Sequence, residues 1–268
     1  MRNNDRHMRA LVTFAVDAEF APWRKLRDFR SIDYDGLPLR RADIGDTEVT
    51  VLLTGMGPEA GALAMGLMMH MADENRHFDV CISSGLAGSL DAQLVPGNIV
   101  APRALIAENR YADVASEQLS VDSHLHELAV KLGAICSNCL LTTDRVLVKV
   151  DHKKLCASRA QSVDMESFEI VKQALAWGAR GVVVRAISDA ADEDLPINFN
   201  LTISANKRIS IPKVLVQLVR NPLALPALIR FGKQSRRAAE SLASFLDEYL
   251  RKLSVTAPAS VSREAAAG

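Results

Sequence analysis

Residues 162–194 decide how this chain is read. The stretch opens Ser162-Val-Asp-Met-Glu-Ser-Phe-Glu169 and closes Gly181-Val-Val-Val-Arg-Ala-Ile-Ser-Asp-Ala-Ala-Asp-Glu-Asp194. A run as apolar as 182–187 predicts a strand buried on both faces. It leads straight into Ser188 and Asp189, and a carboxylate delivered at the C-terminal end of a buried strand is how α/β sheets commonly build a site. Between the two ends, Phe168, Val171 and Leu175 share one face of a helix predicted over about 165–177, which Gly178 stops. Glu166 then falls in the first turn of that helix, where the dipole favours an ionised carboxylate. One local unit thus offers two carboxylates in different surroundings, a pairing suited to acid–base chemistry.

Strands and helices alternate outward from this stretch. Residues 11–15 read as a first strand, which ends in Val16-Asp-Ala-Glu19. Pro22 suits the first turn of a helix over 22–29. Glu19 thereby lies at a strand-to-helix junction, facing either a ligand crevice or solvent at a helix start. Residues 39–44 and 48–53 flank Gly45-Asp46, a hairpin signal. The second of these strands runs into Thr54-Gly-Met-Gly-Pro58, and a helix over about 59–71 follows. Residues 79–83 predict a short buried strand, and the small residues of Ser84-Gly-Leu-Ala-Gly-Ser-Leu90 after it would let a ligand approach the backbone. Further strands are expected at 98–102, 104–108 and 139–142, and helices at 123–133, 152–159 and 235–253. This alternation, with a hairpin in the first half, predicts an α/β layered fold with a mixed sheet. A single domain is expected over 1–253, with an Ala/Ser-rich, disordered tail from 254.

The 268 residues are 49% hydrophobic and 24% charged, sufficient for a sizeable core. No apolar run reaches about 18 residues, so no transmembrane helix is expected. The first nine residues are polar and lack the apolar block of a signal peptide, which makes the cytoplasm the default location. Cys136 and Cys139 form a Cys-x-x-Cys without a second pair at zinc spacing; with Cys81 and Cys156 they read as buried thiols. His124 and His126, near a helix start, read as exposed. No cluster of histidines and acids has metal spacing, so neither a metal nor another cofactor is expected. Arg185 reads as half of a structural ion pair with a local acid. The net charge is zero, yet residues 195–239 hold no acid at all and carry Lys207, Arg208, Lys213, Arg220, Arg230, Lys233, Arg236 and Arg237. Such asymmetry suits an anionic surface or ligand. Nucleic acid is disfavoured because the segment lacks interleaved aromatics.

Five blocks taken in order resemble the nucleoside phosphorylase and nucleosidase superfamily, and most closely its methylthioadenosine/adenosylhomocysteine nucleosidase branch. They are Ala15-Val-Asp-Ala-Glu19; Leu53-Thr-Gly-Met-Gly57; Ser84-Gly-Leu-Ala-Gly-Ser-Leu90 with Pro96-Gly-Asn-Ile-Val100; Val163-Asp-Met-Glu166; and Val182-Val-Val-Arg-Ala-Ile-Ser-Asp189. The resemblance implies a three-layer α/β/α fold around a twisted, partly barrel-like sheet, and cleavage of an N-glycosidic bond. It implies that Asp189 protonates the purine, supported by Ser188, and that Glu166 holds the ribose hydroxyls with Met165 beside the sugar. Glu19 would orient the attacking water. Ala87 and Gly88 fall where backbone lines the nucleoside pocket, and Val146 and Leu147 where the family contacts the purine, although the family's usual Phe is absent there. A homo-oligomer is implied as well. Phosphorolytic relatives carry Gly-Asp-Pro near the first strand and an Arg before the glycine block; Val16-Asp17-Ala18 and Ser83 stand at those places here. With Glu19 present, a phosphate dianion would be repelled, which favours hydrolysis over phosphorolysis.

The C-terminal part resembles the hopanoid-associated phosphorylases, which are linked to removal of adenine from adenosylhopane. That implies a lipid nucleoside as substrate. Physically, 195–234 reads as a basic-apolar insertion, either a lid or oligomer contact with a basic rim or a membrane-facing segment, with peripheral membrane contact over 207–237. A reading from another class remains: a non-catalytic nucleoside-binding or membrane-associated protein on the same fold.

Overall fold

The computed structural model describes residues 8–34, 37–71, 77–108 and 117–256. Strand β1 (Met8–Phe14) leads into helix α1 (Asp17–Leu26), and β2 (Arg30–Tyr34), β3 (Leu37–Ile44) and β4 (Thr47–Leu53) form an antiparallel meander. Helix α2 (Pro58–Met71), β5 (Val80–Ser89), β6 (Ile99–Ala107) and β7 (Gln118–Ser120) follow. Next come α3 (Ser123–Lys131), β8 (Ile135–Thr142), α4 (Val150–Cys156), β9 (Ser162–Asp164), α5 (Ser167–Ala176) and β10 (Arg180–Asp189). Helices α6 (Ile211–Arg220) and α7 (Leu225–Thr256) end the described chain.

Among the described residues all ten strands join one mixed sheet, ordered β10-β6-β8-β9-β5-β1-β4-β3-β2 with β7 on the far side of β6. Strand β10 also pairs with β5, so β10, β6, β8, β9 and β5 close a five-stranded, barrel-like ring. Strands β1, β5 and β10 are mutually parallel neighbours, which gathers their carboxyl ends at one edge. On one face, α1, α3 and α7 bury Phe14, Phe20, Trp23, Phe29, Leu242, Leu246 and Tyr249. On the other, α2 and α5 press Met65, Met68, Ile170 and Ala174 onto Leu11, Leu52 and Cys81. The three-layer α/β/α architecture with a mixed, partly barrel-like sheet is therefore as expected.

Several boundaries differ from the sequence reading. Helix α1 starts at Asp17, so Pro22 lies inside it; Glu19 reaches back to the Val16 N–H and sets the earlier start. The strand expected over 79–83 runs on: the small-residue stretch after Ser83 is the second half of β5, because β10 pairs with it as far as Gly88. The strands expected at 98–102 and 104–108 are one strand, β6. Strands β2, β7 and β9 are too short or too polar to stand out. Helix α7 begins ten residues before the expected 235, since Pro226 occupies its first turn, where no N–H is needed. It continues through Thr256, so 254–256 are helical; residues 1–7 and 257–268 lie outside the described chain. Cys81 is buried as expected, but Cys136 is exposed and Cys139 and Cys156 are half-buried on strand and helix surfaces. His126 is buried rather than exposed: the inner face of α3 turns it toward β6, with its ring nitrogen 3.1 Å from the Ala101 carbonyl oxygen.

The helical layer is locked to the sheet by aromatic packing. Phe20 lies 5.0 Å from Phe29 and 5.6 Å from Phe14, ring centre to ring centre. Removing its ring leaves a cavity that backbone around it cannot fill, so Phe20→Ala is expected to lose about 3–5 kcal/mol of stability in urea unfolding. A loss below about 1 kcal/mol would show that α1 does not anchor this layer.

Candidate active site

Asp189 ends β10 at an irregularity in the ladder: Ile187 pairs with Ala87, and Asp189, two residues on, pairs with Gly88. A strand bulge of this kind re-aims the side chains around it. Ser188 takes up the extra residue and turns its hydroxyl to the Ala87 carbonyl and to Asp189 Oδ1, 2.6 Å away. The other carboxyl oxygen faces Gly88, where a Cβ would sit 3.1 Å from it. That oxygen also accepts from Lys153 Nζ on α4 at 2.5 Å. Asp189 is buried, and burial pushes its carboxyl above the ordinary carboxylate range against the opposing pull of Lys153 and Ser188.

Glu166 sits one residue before α5, at its N-cap, not inside its first turn. Its Oε1 accepts the Gly57 N–H at 2.7 Å, which fastens the turn after β4 to the start of α5. The expected dipole effect does not prevail. Burial first, then neighbouring Asp164, push the Glu166 carboxyl up to about 8 despite Arg185. The reason is steric as well as electrostatic: Arg185 is committed to Asp164, Nη2 to Oδ2 at 2.6 Å, and stands 4.0 Å from Glu166. Arg185 and Asp164 are both fully buried. The guanidinium also donates to the Ser84 carbonyl at 2.8 Å and to Ser167 Oγ at 2.9 Å. Asp164 accepts from Thr142 Oγ1 at 2.7 Å and from the Ser167 N–H at 3.2 Å, so it caps α5 as well. The structural ion pair expected for Arg185 is present, and Asp164 is its acid.

Glu19 is buried in the first turn of α1, not solvated. Its carboxylate accepts three backbone N–H groups: Leu86 at 2.9 Å, Ala15 at 3.0 Å and Val16 at 3.3 Å. Burial raises its affinity for a proton; Arg185 and the three N–H groups oppose the shift. Gly85, with φ of +137°, makes the arrangement possible. A Cβ there would lie 2.4 Å from Arg185 Nη1 and 3.0 Å from both Glu19 oxygens, so a side chain at 85 would displace the charged groups.

The remaining expected residues divide. Met165 is buried with its methyl against the Gly57 turn, and Ala87 and Gly88 line β5 beside Asp189. Leu147 is buried in an apolar cluster with Leu90, Leu141, Ala160 and Val163, and Val163 lies beside Gly88. Val146 has both backbone groups tied to the Asn200 carboxamide, at 2.7 and 2.9 Å, and borders a separate cavity of about 350 Å³ with Arg145, Lys149 and Asn198. Lys153, Asp164 and the reach of Arg185 escaped the sequence reading. Lys153 is one cation in the polar run Lys149-Val-Asp-His-Lys-Lys154, where nothing marks it as buried. Among the described residues no group of three or more His, Cys, Asp or Glu is arranged to hold a metal.

The basic-apolar segment borders the crevice. A short bridge between Ile203 and Ile209 carries Lys207, whose carbonyl accepts the Met56 N–H at 2.9 Å beside the Glu166-bonded turn. Helix α6 leans on Leu195, Ile197, Phe199 and Phe231 through Val214 and Leu218, while Ile211, Leu215, Val216 and Val219 are exposed. Gln234 of α7 donates to the Ser188 carbonyl at 2.8 Å. No single described helix is long and apolar enough to cross a membrane; the pair Ile211–Arg220 and Pro222–Leu253 together have the length and composition but bend by 115°.

Two outcomes follow from the buried charges. Arg185→Met leaves Asp164 buried without its cation, so a loss of about 3–5 kcal/mol is expected in denaturant unfolding; a loss under about 1 kcal/mol would refute the pair's structural part. Glu166 has a folded pKa of about 8 against an ordinary 4.5, so its stabilising contribution is complete below about 4.5 and is lost as pH rises through 8. Glu166→Gln cannot ionise. Its Tm should therefore gain on the wild type between about pH 5 and pH 9, and a difference independent of pH would contradict the shift.

Comparison with known proteins agrees with this geometry. The chain is 26% identical over 204 residues to a 5′-methylthioadenosine/S-adenosylhomocysteine nucleosidase of Glaesserella parasuis serovar 5, covering 66% of this chain and 84% of that protein. Its fold matches the solved 5′-methylthioadenosine/S-adenosylhomocysteine nucleosidase of Helicobacter pylori in complex with butyl-thio-DADMe-Immucillin-A, with a TM-score of 0.70 at 18% identity over 92% of this chain and 99% of the other. It also matches a futalosine hydrolase mutant from Helicobacter pylori, with a TM-score of 0.67 at 17% identity over 91% and 99%. The family model of the Phosphorylase superfamily matches residues 11–251, from within β1 into α7, and the chain belongs to that superfamily.

Proposed function

We propose that this chain hydrolyses the N-glycosidic bond of a 5′-substituted adenosine and releases adenine. Asp189 protonates the purine, Glu166 holds the ribose hydroxyls with Met165 against the sugar, and Glu19 orients the attacking water. The observation that carries this reading is that β5 gathers two buried carboxyls two residues apart: Glu19 takes the Leu86 N–H and Asp189 lies against Gly88.

The chemistry uses each group's environment. Purine leaves poorly as an anion, so a proton on N7 lets the C1′–N9 electrons pass to a neutral base. Burial raises the affinity of the Asp189 carboxyl for a proton, so it can take one up and pass it to the base. The ribosyl cation that develops is stabilised by nearby carboxylate charge. Water then adds to C1′ and gives its proton to Glu19, whose burial makes it a stronger base than an exposed carboxylate. Phosphate would enter beside the Glu19 carboxylate, while Arg185 is already bound to Asp164. Like charges disfavour that nucleophile. Backbone at Ala87 and Gly88 would line the nucleoside pocket.

The same reading extends to the 5′ side. The segment carrying Lys207 and α6 abuts the turn that Glu166 holds, and α6 turns apolar side chains outward beside Lys213, Arg220 and Arg230. A long apolar 5′ group would leave the crevice along this face, with the cations matched to anionic headgroups. A lipid nucleoside such as adenosylhopane, met at a membrane surface, fits that combination.

Adenine release tests both levels. 5′-Methylthioadenosine, S-adenosylhomocysteine and a 5′-long-chain-alkyl adenosine are to be compared with and without phosphate. Free ribosyl product without phosphate is expected, with the lowest KM for the long-chain substrate and a loss of about 10²- to 10⁴-fold in kcat for Asp189→Asn. A strict phosphate requirement with a sugar 1-phosphate product would replace hydrolysis by phosphorolysis. Undiminished release by Asp189→Asn would remove Asp189 as the acid.

A further inference from the structure

Lys153 has no part in the reaction as described, yet it is the cation nearest the acid. It projects from α4, and its side chain is 1% exposed. An ammonium has three N–H donors, and each is taken: Asp189 Oδ2 at 2.5 Å, the Ala190 carbonyl at 2.6 Å and the Glu193 carbonyl at 3.0 Å. The carboxylate is gripped from both ends, since Ser188 Oγ holds Oδ1 at 2.6 Å. Buried ion pairs are poor devices for stability, because a well-packed apolar pair does as well or better. A lysine placed here with every donor satisfied therefore points to a task at the carboxyl it holds.

We propose that Lys153 is a positioning residue for Asp189, aiming its carboxyl along β5 and keeping one proton on the Lys153–Asp189 pair for delivery to the leaving purine. The proposal rests on the reading of Asp189 as the acid. In the resting site the proton sits on Nζ. As the C1′–N9 bond lengthens, Lys153 gives one proton to Asp189 and Asp189 gives one to N7. The carboxylate ends as it began, the lysine ends as a neutral amine, and it regains its proton from solvent when adenine leaves. No redox partner is involved. A carboxyl gripped at both oxygens also has little freedom to turn away from the base, which is the orientation that a proton transfer of this kind needs.

Other groups face this pair. Glu193 follows β10, with its carboxylate 3.2 Å from Gln234 Nε2 of α7. Asp194 is bound to Lys149 beside the start of α4 at 2.8 Å. Both acids stand near enough for their charge to act on this pair. Without the amine only the carboxyl can hold the proton, and carboxyls ordinarily titrate below amines.

The test is kcat and KM for adenine release from 5′-methylthioadenosine, across about pH 5 to 10, for the wild type, Lys153→Met and Lys153→Arg. Lys153→Met is expected to lose about 10²-fold in kcat with KM changed by less than about threefold. The alkaline limb of its pH profile should move to lower pH. Lys153→Arg keeps a cation at this place but does not release a proton in this range, so it too should lose kcat. It also decides the question if the methionine variant does not fold. A folded variant of either kind with kcat within about threefold of the wild type and the same alkaline limb would overturn the proposal. Absence of adenine release by the wild type itself would instead overturn the reading of the reaction on which the proposal rests.

Discussion

A guanidinium buried between β5, β9 and α5 is the constraint on which the rest of this structure depends. Arg185 binds Asp164, touches the Ser84 backbone and the Ser167 hydroxyl, and lies close to Glu166 and Glu19. A charge of this kind inside a sheet would be costly alone. Here it fixes the start of α5 through Asp164, and with it the position of Glu166. It also requires Gly85, because a side chain on that residue would collide with Nη1. The strand that must pass so close to the charge is the one whose next residues line the crevice. Core electrostatics and site geometry are thus one arrangement.

The carboxyls then differ in what surrounds them. Glu19 is wrapped by three N–H groups, Glu166 by one N–H and a nearby acid, and Asp189 by a hydroxyl and an ammonium. Burial raises all three, but each is opposed by a different partner. In the proposed reaction a base, a sugar-binding carboxyl that can both donate and accept, and an acid are three separate uses of one residue type, set by neighbours and not by sequence identity.

Much of this was legible in residues 162–194, because a strand buried on both faces has few alternatives and a carboxylate at its end is conspicuous. A layered α/β fold with a mixed sheet followed from alternation, and the three-layer, partly barrel-like form from the resemblance of the five blocks. What escaped is equally physical. The strand expected over 79–83 stops short, yet β10 pairs with the small residues after Ser83 as strand, since pairing across a closing ring is a long-range contact that local pattern does not carry. Glu166 was expected to be ionised by a helix dipole, but desolvation exceeds a dipole effect that is worth most near solvent. Lys153 sits in a polar run and is buried by β10 and the loop after it, contacts 36 to 40 residues away in sequence.

The most direct measurement of the central claim, that buried carboxyls of Asp189, Glu166 and Glu19 surround one glycosidic bond, is the crystal structure of this protein with an uncleavable 5′-substituted adenosine analogue. The account predicts an Asp189 oxygen about 2.6–3.2 Å from N7 of the base or its replacement, Glu166 on the ribose hydroxyls, and Glu19 facing C1′ from across the sugar. A purine turned away from Asp189, with the ribose beyond reach of Glu166, would contradict it.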